Sequence, residues 1–212
     1  MIFIIVGLLA AGAVAYFLFS SGSPKPSISP IPKTSEPEPV PEPSPPPSAS
    51  MYEEVSIYYS SQTGTAQHFC EMMQEDGYEF GVNTKLVNLQ DFDKEQFEKQ
   101  KFVVFILATH YEGEAPDNAV DFTEQYLNAE EKSDLSHQKF LMYALGDKTY
   151  KNFGGYGKTV KAEMETRKAV CVKELEVGSD HANDIETHFV EWKKDIWESV
   201  KSHLIPKEGA NE

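Results

Sequence analysis

Two runs of apolar and aromatic residues, Phe102–Leu107 and Phe140–Leu145, constrain the fold more than any other feature of this 212-residue chain. Neither run alternates between apolar and polar residues, so a strand formed by either run has two apolar faces. Such a strand has to be covered on both sides, which is typical of the central parallel strands of an α/β sheet. The sequence therefore predicts a sheet with helices packed on both faces.

Strand-like and helix-like patterns alternate after residue 50, which predicts an α/β, doubly wound, five-stranded parallel sheet. We expect one domain of residues 51–205, followed by a flexible tail of residues 206–212. The predicted strands are Val55–Tyr59, Val82–Leu89, Phe102–Ala108, Phe140–Leu145 and Val170–Leu175. The predicted helices are Thr65–Asp76, Phe92–Lys99, Ala119–Asn128, Gly157–Thr166 and Ile185–Leu204.

The first 19 residues differ from the rest of the chain in composition. Ile2–Phe19 contains 18 residues with no charge and no proline, enough for one helix to cross a bilayer. A cleaved signal peptide is the alternative, but no Lys or Arg precedes the run, which favours a transmembrane anchor of residues 1–19. Lys25 and Lys33 follow the run, so we expect a single-pass protein whose domain faces the cytosol.

Residues 20–50 are rich in proline, serine and glutamate and hold 11 of the 13 prolines. A segment of this composition cannot bury enough apolar surface to fold. We expect a disordered linker with polyproline II character and a reach of up to about 95 Å. The domain would therefore stand away from the membrane on a long tether.

Charge and cysteine content limit the class of partner. The net charge is −15 and nearly all of it lies after residue 50, which disfavours nucleic acid as a partner. A basic protein partner suits this charge, although solubility alone also explains it. Cys70 and Cys171 form no CxxC motif, and we expect reduced, buried thiols rather than a disulfide. No metal site is predicted, because metal-ligand spacing is absent from His68, His137, His188 and His203.

The loop Ser60–Ala66 joins the first predicted strand to the first predicted helix. Its hydroxyl groups and Gly64 suit an anion held against the free N–H groups of a helix N-terminus. The loop lacks the lysine of a nucleotide-binding P-loop, which disfavours ATP or GTP chemistry. An ordinary turn with N-capping hydroxyls is the alternative, and the loop alone leaves both interpretations open.

Two further loops follow the central strands and combine aromatic residues with glycine. The loop after Ala108 contains His110 and Tyr111, and the loop after Leu145 contains Tyr150. Ligands of doubly wound sheets bind beyond the carboxyl ends of the strands, where these loops lie. A flat aromatic ligand between the two loops would be stacked on both faces. A phosphate in the first loop and a flat ring between the other two predict a site for flavin mononucleotide (FMN).

The three loops resemble those of the flavodoxin-like FMN domain of the diflavin reductases, above all the microsomal NADPH–cytochrome reductase family. Its first loop reads Ser-Gln-Thr-Gly-Thr-Ala, which Ser61–Ala66 matches without change. Its second loop, Ala-Thr-Tyr-Gly-Glu-Gly-Asp-Pro-Thr-Asp-Asn-Ala, is matched in part by Ala108–Ala119. Its third loop, Leu-Gly-Asn-Lys-Thr-Tyr-x-x-Phe, is matched by Leu145–Phe153 with Asp147 in place of Asn. The resemblance runs from about Val55 to Trp197.

The resemblance also implies which residues hold FMN. The first loop would bind the phosphate through Ser61, Gln62, Thr63, Gly64, Thr65 and Ala66. The second loop would line one side of the ring through Ala108, Thr109, His110, Tyr111, Glu112 and Gly113. The third loop would line the other side through Leu145, Gly146, Asp147, Thr149, Tyr150, Phe153 and Gly154. Two residues are expected near the exposed ring edge, Asp180 and His181.

The chain departs from the family pattern in the second loop, where His110-Tyr111 replaces Tyr-Gly. Either ring could stack on the flavin. Tyr111 stands where the family has a glycine, and a positive φ angle at Tyr is costly. The family's FAD- and NADPH-binding half is not matched, so we expect no NAD(P)H site in this chain.

The resemblance implies a membrane-anchored FMN protein, expected in the endoplasmic reticulum. It would pass single electrons from a separate NAD(P)H-dependent reductase to a membrane-associated acceptor such as a haem protein. No catalytic base or nucleophile is expected, because the flavin carries the chemistry. One alternative is a flavodoxin module of tRNA wybutosine synthesis, which the negative charge disfavours. The other is a cofactor-free flavodoxin-like interaction domain, supported only by the altered second loop.

Overall fold

The computed structural model describes residues 52–181, 184–194, 196–204 and 206. The predicted anchor, the predicted linker and nearly all of the predicted tail lie outside these residues. Within the described ranges, no helix combines the length and the apolar character needed to cross a membrane.

The described part of the chain contains one parallel sheet. Helices cover both faces of this sheet, and its strand order reverses beside the first strand, as the doubly wound prediction requires. In spatial order the strands are β2 (Thr84–Asn88), β1 (Val55–Ser60), β3 (Phe102–Ala108), β4 (Lys139–Gly146) and β5 (Val170–Cys171), with β6 (Glu176–Ser179) also paired to β4.

The prediction of five strands is wrong, because the structure has six within the described residues. The predicted strand Val170–Leu175 contains only β5, and β6 begins at Glu176, after its predicted end. Lys139 pairs with Val170 and Tyr143 pairs with Glu176. The two paired positions are therefore four residues apart on β4 but six residues apart on the segment that contains β5 and β6. The two extra residues interrupt the ladder. The intervening apolar residues still pack on the sheet, which is why the sequence pattern continues where the pairing stops.

The described helices follow the predicted order with different bounds. They are α1 (Thr65–Glu79), α2 (Lys94–Lys99), α3 (Val120–Phe122), α4 (Gly155–Thr166), α5 (Ile185–Lys193) and α6 (Ile196–Lys201). A 3₁₀ turn, Asp117–Ala119, precedes α3, and a π-helical segment, Thr123–Leu127, follows it. The third predicted helix is therefore a mixed segment. The last predicted helix is described as two, with residue 195 outside the description.

The core is divided by the sheet into two layers. One layer packs α1, α5 and α6 on the sheet, and its Phe69 and Phe189 rings are stacked with centroids 4.1 Å apart. The other layer packs α2, α3 and α4 on the opposite face. Both cysteines are free, as predicted, but only Cys70 is buried and Cys171 is partly exposed. This two-sided burial explains why β3 and β4 are apolar on both faces.

Candidate functional site

A cavity of about 350 Å³ lies beyond the carboxyl ends of β1, β3 and β4, where the strand order reverses. Three predicted loops meet there. The predicted site residues that line the cavity are Ser61, Gln62, Thr63, Thr65, Ala108, Thr109, His110, Tyr111, Leu145, Gly146, Asp147, Tyr150, Phe153, Gly154 and Asp180. The cavity therefore has a hydroxyl-rich end from the first loop and an aromatic end from the other two.

The first loop turns into α1 through Gly64, which has a φ of 97°. Its N–H donates to Ser61 Oγ at 2.9 Å. No side chain caps α1, and the first helical bond runs from His68 N–H to the Gly64 carbonyl. The N–H groups of the first three helical residues, Thr65 to Gln67, therefore lack intrahelical acceptors and are available to an anion. Gly64 shapes this loop without lining the cavity, and Ala66 is buried beneath it.

The first loop is also tied to the 3₁₀ turn before α3. Ser61 N–H donates to Asn118 Oδ1 at 3.0 Å. The Gln62 side chain donates to Asp117 Oδ2 at 2.9 Å and accepts from Asp117 N–H at 3.2 Å. The oxygen and the nitrogen of the Gln62 side chain are therefore both held by Asp117, although the family resemblance implies that Gln62 binds the phosphate.

The second loop is a tight turn closed by two hydrogen bonds between His110 and Glu114, at 2.9 and 2.8 Å. Tyr111 has a φ of 40°, in the left-handed region that disfavours a side chain. The His110 and Tyr111 rings both line the cavity, with centroids 3.9 Å apart and planes at 47°. That one of these two rings stacks on a flavin stays a prediction. Glu112 and Gly113 lie in the turn and do not line the cavity.

The third loop is organised by the Asp147 carboxylate. Its Oδ1 accepts from Thr149 N–H at 2.8 Å and from the Thr149 hydroxyl at 2.7 Å. These bonds, the backbone N–H first, lower the pKa of Asp147 from its usual value. Asp147 is therefore a carboxylate at neutral pH, and Thr149 is used to hold it rather than to line the cavity.

Ser179, at the end of β6, joins the third loop to the segment that carries Asp180. Its Oγ accepts from Lys148 N–H at 3.1 Å and from His181 N–H at 3.2 Å. Asp180 N–H donates to the Gly146 carbonyl at 2.8 Å. Asp180 thus lines the cavity, whereas His181 does not but lies 3.9 Å from the Asp147 carboxylate.

Two lining residues, Asn152 and Ile185, were not predicted from the sequence. The Asn152 side chain donates to the Glu112 carbonyl and so closes the second loop against the third. A Cβ at Gly113 would lie 3.1 Å from Asn152 Cβ, so this contact favours glycine there. No local pattern identifies Asn152, because its partner is 40 residues away.

One buried polar atom tests whether the cavity fits FMN. Thr109 Oγ1 is buried and has no hydrogen-bond partner within the described residues, although Thr109 lines the cavity. A buried hydroxyl without a partner is costly, and a polar edge of a bound ring would satisfy it. Together with the anion-binding loop and the aromatic end, Thr109 fits a phosphorylated flat ring.

The fold and the site together define a doubly wound α/β protein that holds a phosphorylated aromatic cofactor at the carboxyl ends of its strands. A family model described as Flavodoxin matches residues 57–192. The chain therefore belongs to the flavodoxin family, and its cofactor is FMN.

Curated relatives and solved structures agree with this assignment. NADPH–cytochrome P450 reductase from Homo sapiens is 33% identical over 155 residues, covering 71% of this chain and 22% of that protein. The corresponding reductase from Aspergillus fumigatus is 33% identical over 162 residues, covering 70% and 23%. The chain thus spans about a fifth of the length of these relatives. A cysteine-to-serine mutant of flavodoxin from Pseudomonas aeruginosa shares the fold, with a TM-score of 0.61, 18% identity and coverage of 70% and 99%.

Proposed function

We propose that this protein is a membrane-anchored electron carrier. It would pass single electrons from a separate NAD(P)H-dependent reductase to a membrane-associated acceptor such as a haem protein. The observation that carries the proposal is the open aromatic end of the cavity, where Tyr111 is 70% exposed and Tyr150 is 51% exposed. A ring held there would reach the protein surface, where the redox centre of a partner can approach it.

The chain's residues would bind and orient the cofactor, and FMN would supply the one-electron chemistry. The first loop would hold the phosphate with N–H and hydroxyl groups, since no Lys or Arg is among the residues described as lining the cavity. The second and third loops would cover the two faces of the ring. No nucleophile or general base is required of the protein in this scheme.

The bound flavin can be identified directly. A depression beside the first loop is lined by Asp117 and Asp121, whose carboxylates would repel the second phosphate of FAD. We therefore expect chromatography of the flavin released on denaturation to give FMN. Release of FAD would overturn the assignment of FMN. A protein that stays colourless after reconstitution with excess FMN would also overturn it and would favour the cofactor-free interaction domain.

The membrane anchor is supported by the uncharged run Ile2–Phe19, and the cytosolic orientation by Lys25 and Lys33. The endoplasmic reticulum is proposed from the resemblance to microsomal reductases. Deleting residues 2–19 should move the protein from the membrane fraction to the soluble fraction. The mass of the intact protein provides the control, because removal of a signal peptide would leave a shortened chain.

Electron transfer is tested with the purified protein and the separated reductase half of a diflavin enzyme. We expect neither protein alone to reduce a haem acceptor quickly with NADPH, and the mixture to do so. The rate should fall as salt is raised, because a strongly negative carrier would find a basic partner through charge. Fast NADPH oxidation by the pure protein would contradict the need for a separate reductase. A rate independent of salt would contradict steering by charge.

A further inference from the structure

We propose that Asn118, held in place by Asn88, is the residue that positions the phosphate-binding loop. The Asn88–Asn118 pair would then control affinity for the phosphate of the cofactor and leave affinity for its ring nearly unchanged. The inference rests on the proposed FMN site and deepens it, because it separates the residues that hold the loop from those that touch the ligand.

Both the oxygen and the nitrogen of the Asn118 side-chain amide form hydrogen bonds. Its Oδ1 accepts from Ser61 N–H at 3.0 Å, and its Nδ2 donates to Asn88 Oδ1 at 2.9 Å. Because Ser61 N–H can only donate and Asn88 Oδ1 can only accept, these two bonds allow one orientation of the Asn118 amide. Asn118 is therefore a rigid link between the first loop and Asn88.

Asn88 anchors this link in the sheet. It is the last residue of β2 and pairs with Tyr59 of β1, two residues before Ser61. Its Oδ1 also accepts from Gln90 N–H at 3.0 Å, which fixes the direction of the Asn88 side chain. The link thus runs from Asn88, at the end of β2, to Ser61, the first residue after β1. Movement of Ser61 away from Asn118 would break it.

The link matters because the first loop has to bind an anion without a cation. No Lys or Arg is among the described lining residues, so affinity depends on the direction of N–H and O–H dipoles. Ser61 N–H is itself satisfied by Asn118 and is no longer available to the phosphate. That donor is used to hold the loop, while the hydroxyls of Thr63 and Thr65, 3.4 Å apart, remain free of Asn118.

A second link between the same two segments provides a matched control. Asp117, the neighbour of Asn118, forms two hydrogen bonds with Gln62, but both are exposed to solvent. The bonds of Asn118 are partly buried, where a lost hydrogen bond costs more. Substitution of Asp117 by Asn keeps an acceptor for Gln62 and removes a negative charge. We therefore expect Asp117→Asn not to weaken FMN binding.

The experiment compares FMN with riboflavin, which has the same ring and no phosphate. The full chain, freed of flavin, is titrated with each ligand and followed by flavin fluorescence. We expect Asn118→Leu to weaken FMN binding about 10- to 100-fold and riboflavin binding less than about threefold, since one or two partly buried hydrogen bonds are lost. Asn88→Ala should give a smaller loss of the same kind. The double variant should match Asn118→Leu, because both substitutions break one link.

Equal weakening of FMN and riboflavin would overturn the proposal, since Asn118 would then support the whole site. Unchanged FMN binding in Asn118→Leu, or weakening by Asp117→Asn as large as that by Asn118→Leu, would also overturn it. If Asn118→Leu does not fold, Asn88→Ala decides the question with the same ratio of affinities. A wild-type chain that binds neither flavin would contradict the proposed function itself, which is a different outcome from all of these.

Discussion

The hydroxyl of Tyr143 occupies the space that a side chain at Gly178 would need. Tyr143 is fully buried on β4, and its hydroxyl is hydrogen-bonded to His188 Nδ1 of α5 at 2.8 Å. A Cβ at Gly178 would lie deep inside contact distance of that oxygen and 2.8 Å from the adjoining ring carbon. The glycine on β6 is therefore required by a side chain of the neighbouring strand.

Substitution of Gly178 by Ala should destabilise the flavin-free protein by about 1–3 kcal/mol, because overpacking displaces a buried ring. Tyr143→Phe in the same chain should recover part of this loss, since it removes the nearest atom but leaves the ring carbon close. Urea unfolding of both single variants and the double variant measures the coupling. Strictly additive free energies of unfolding would show that Tyr143 is not the cause.

Arg167, the only arginine of the chain, is a buried cation that should contribute strongly to stability. Its Nε donates to Glu163 Oε1 at 3.0 Å, and its guanidinium lies 4.2 Å from the centre of the Tyr126 ring. We expect Arg167→Ala to lower the free energy of unfolding by about 3 kcal/mol, since it removes a buried side chain that packs on the Tyr126 ring and holds Glu163. Urea unfolding at neutral pH provides the measurement.

An exposed pair on the same helix is the control for Arg167. Lys161 and Glu165 are four residues apart on α4, and Lys161 Nζ lies 2.6 Å from the Glu165 carboxylate. Glu163 and Arg167 have the same spacing, with Arg167 directly after the last residue of α4. Because exposed pairs contribute little, Lys161→Ala should change stability by less than about 1 kcal/mol. Equal losses in the two variants would contradict the importance of burial at Arg167.

The left-handed conformation of Tyr111 should reverse the usual order of Gly and Ala substitutions. At a φ of 40° alanine remains strained, whereas glycine is not. The greater conformational freedom of glycine in the unfolded chain cancels only part of this gain in stability. We expect Tyr111→Gly to be about 0.5–1 kcal/mol more stable than Tyr111→Ala. At the neighbouring Glu112, whose φ is not positive, glycine should be the less stable choice. Thermal unfolding of the four flavin-free variants tests both comparisons.

The parts of the fold that could be predicted are those set by burial on both faces of the sheet. The predicted strand Phe102–Ala108 has the observed bounds, and α4 begins two residues before its predicted start. The end of β5 at Cys171 could not be predicted, because Val172 and Leu175 pack on opposite faces and so continue the strand pattern as far as Leu175. The pattern of apolar residues in the sequence indicates which side chains are buried. It does not indicate where the backbone hydrogen bonds that pair two strands begin and end.

In the site, the sequence indicated which loops converge but not how their polar groups are shared. Gln62 and Thr149 belong to the predicted motifs, yet their side chains hold Asp117 and Asp147 within the protein. Asn152 and Asn118 hold the loops through partners that are distant in sequence. Motif spacing therefore locates such a site, and only the three-dimensional contacts separate ligand-facing groups from those that support the loops.

The last prediction concerns the pH dependence of stability through Asp147. Hydrogen bonds from Thr149 stabilise its carboxylate form, so its pKa in the folded protein lies below the value of about 3.9 in an unfolded chain. A lowered pKa means that the folded state favours the ionised group. The stabilisation is therefore fully present above the unfolded pKa and is lost as pH falls through the folded pKa.

Wild type and Asp147→Asn should therefore differ in stability most at pH 6–7, with the wild type more stable, and should converge as pH falls below about 4. The asparagine keeps an acceptor for Thr149 but not the charge that the N–H and hydroxyl stabilise. Thr149→Val removes the hydroxyl donor and keeps the backbone N–H, so it should show part of the same pH dependence. Urea unfolding of the three flavin-free proteins across this pH range measures the effect. A difference between wild type and Asp147→Asn that does not change with pH would show that the carboxylate charge is not what the third loop stabilises.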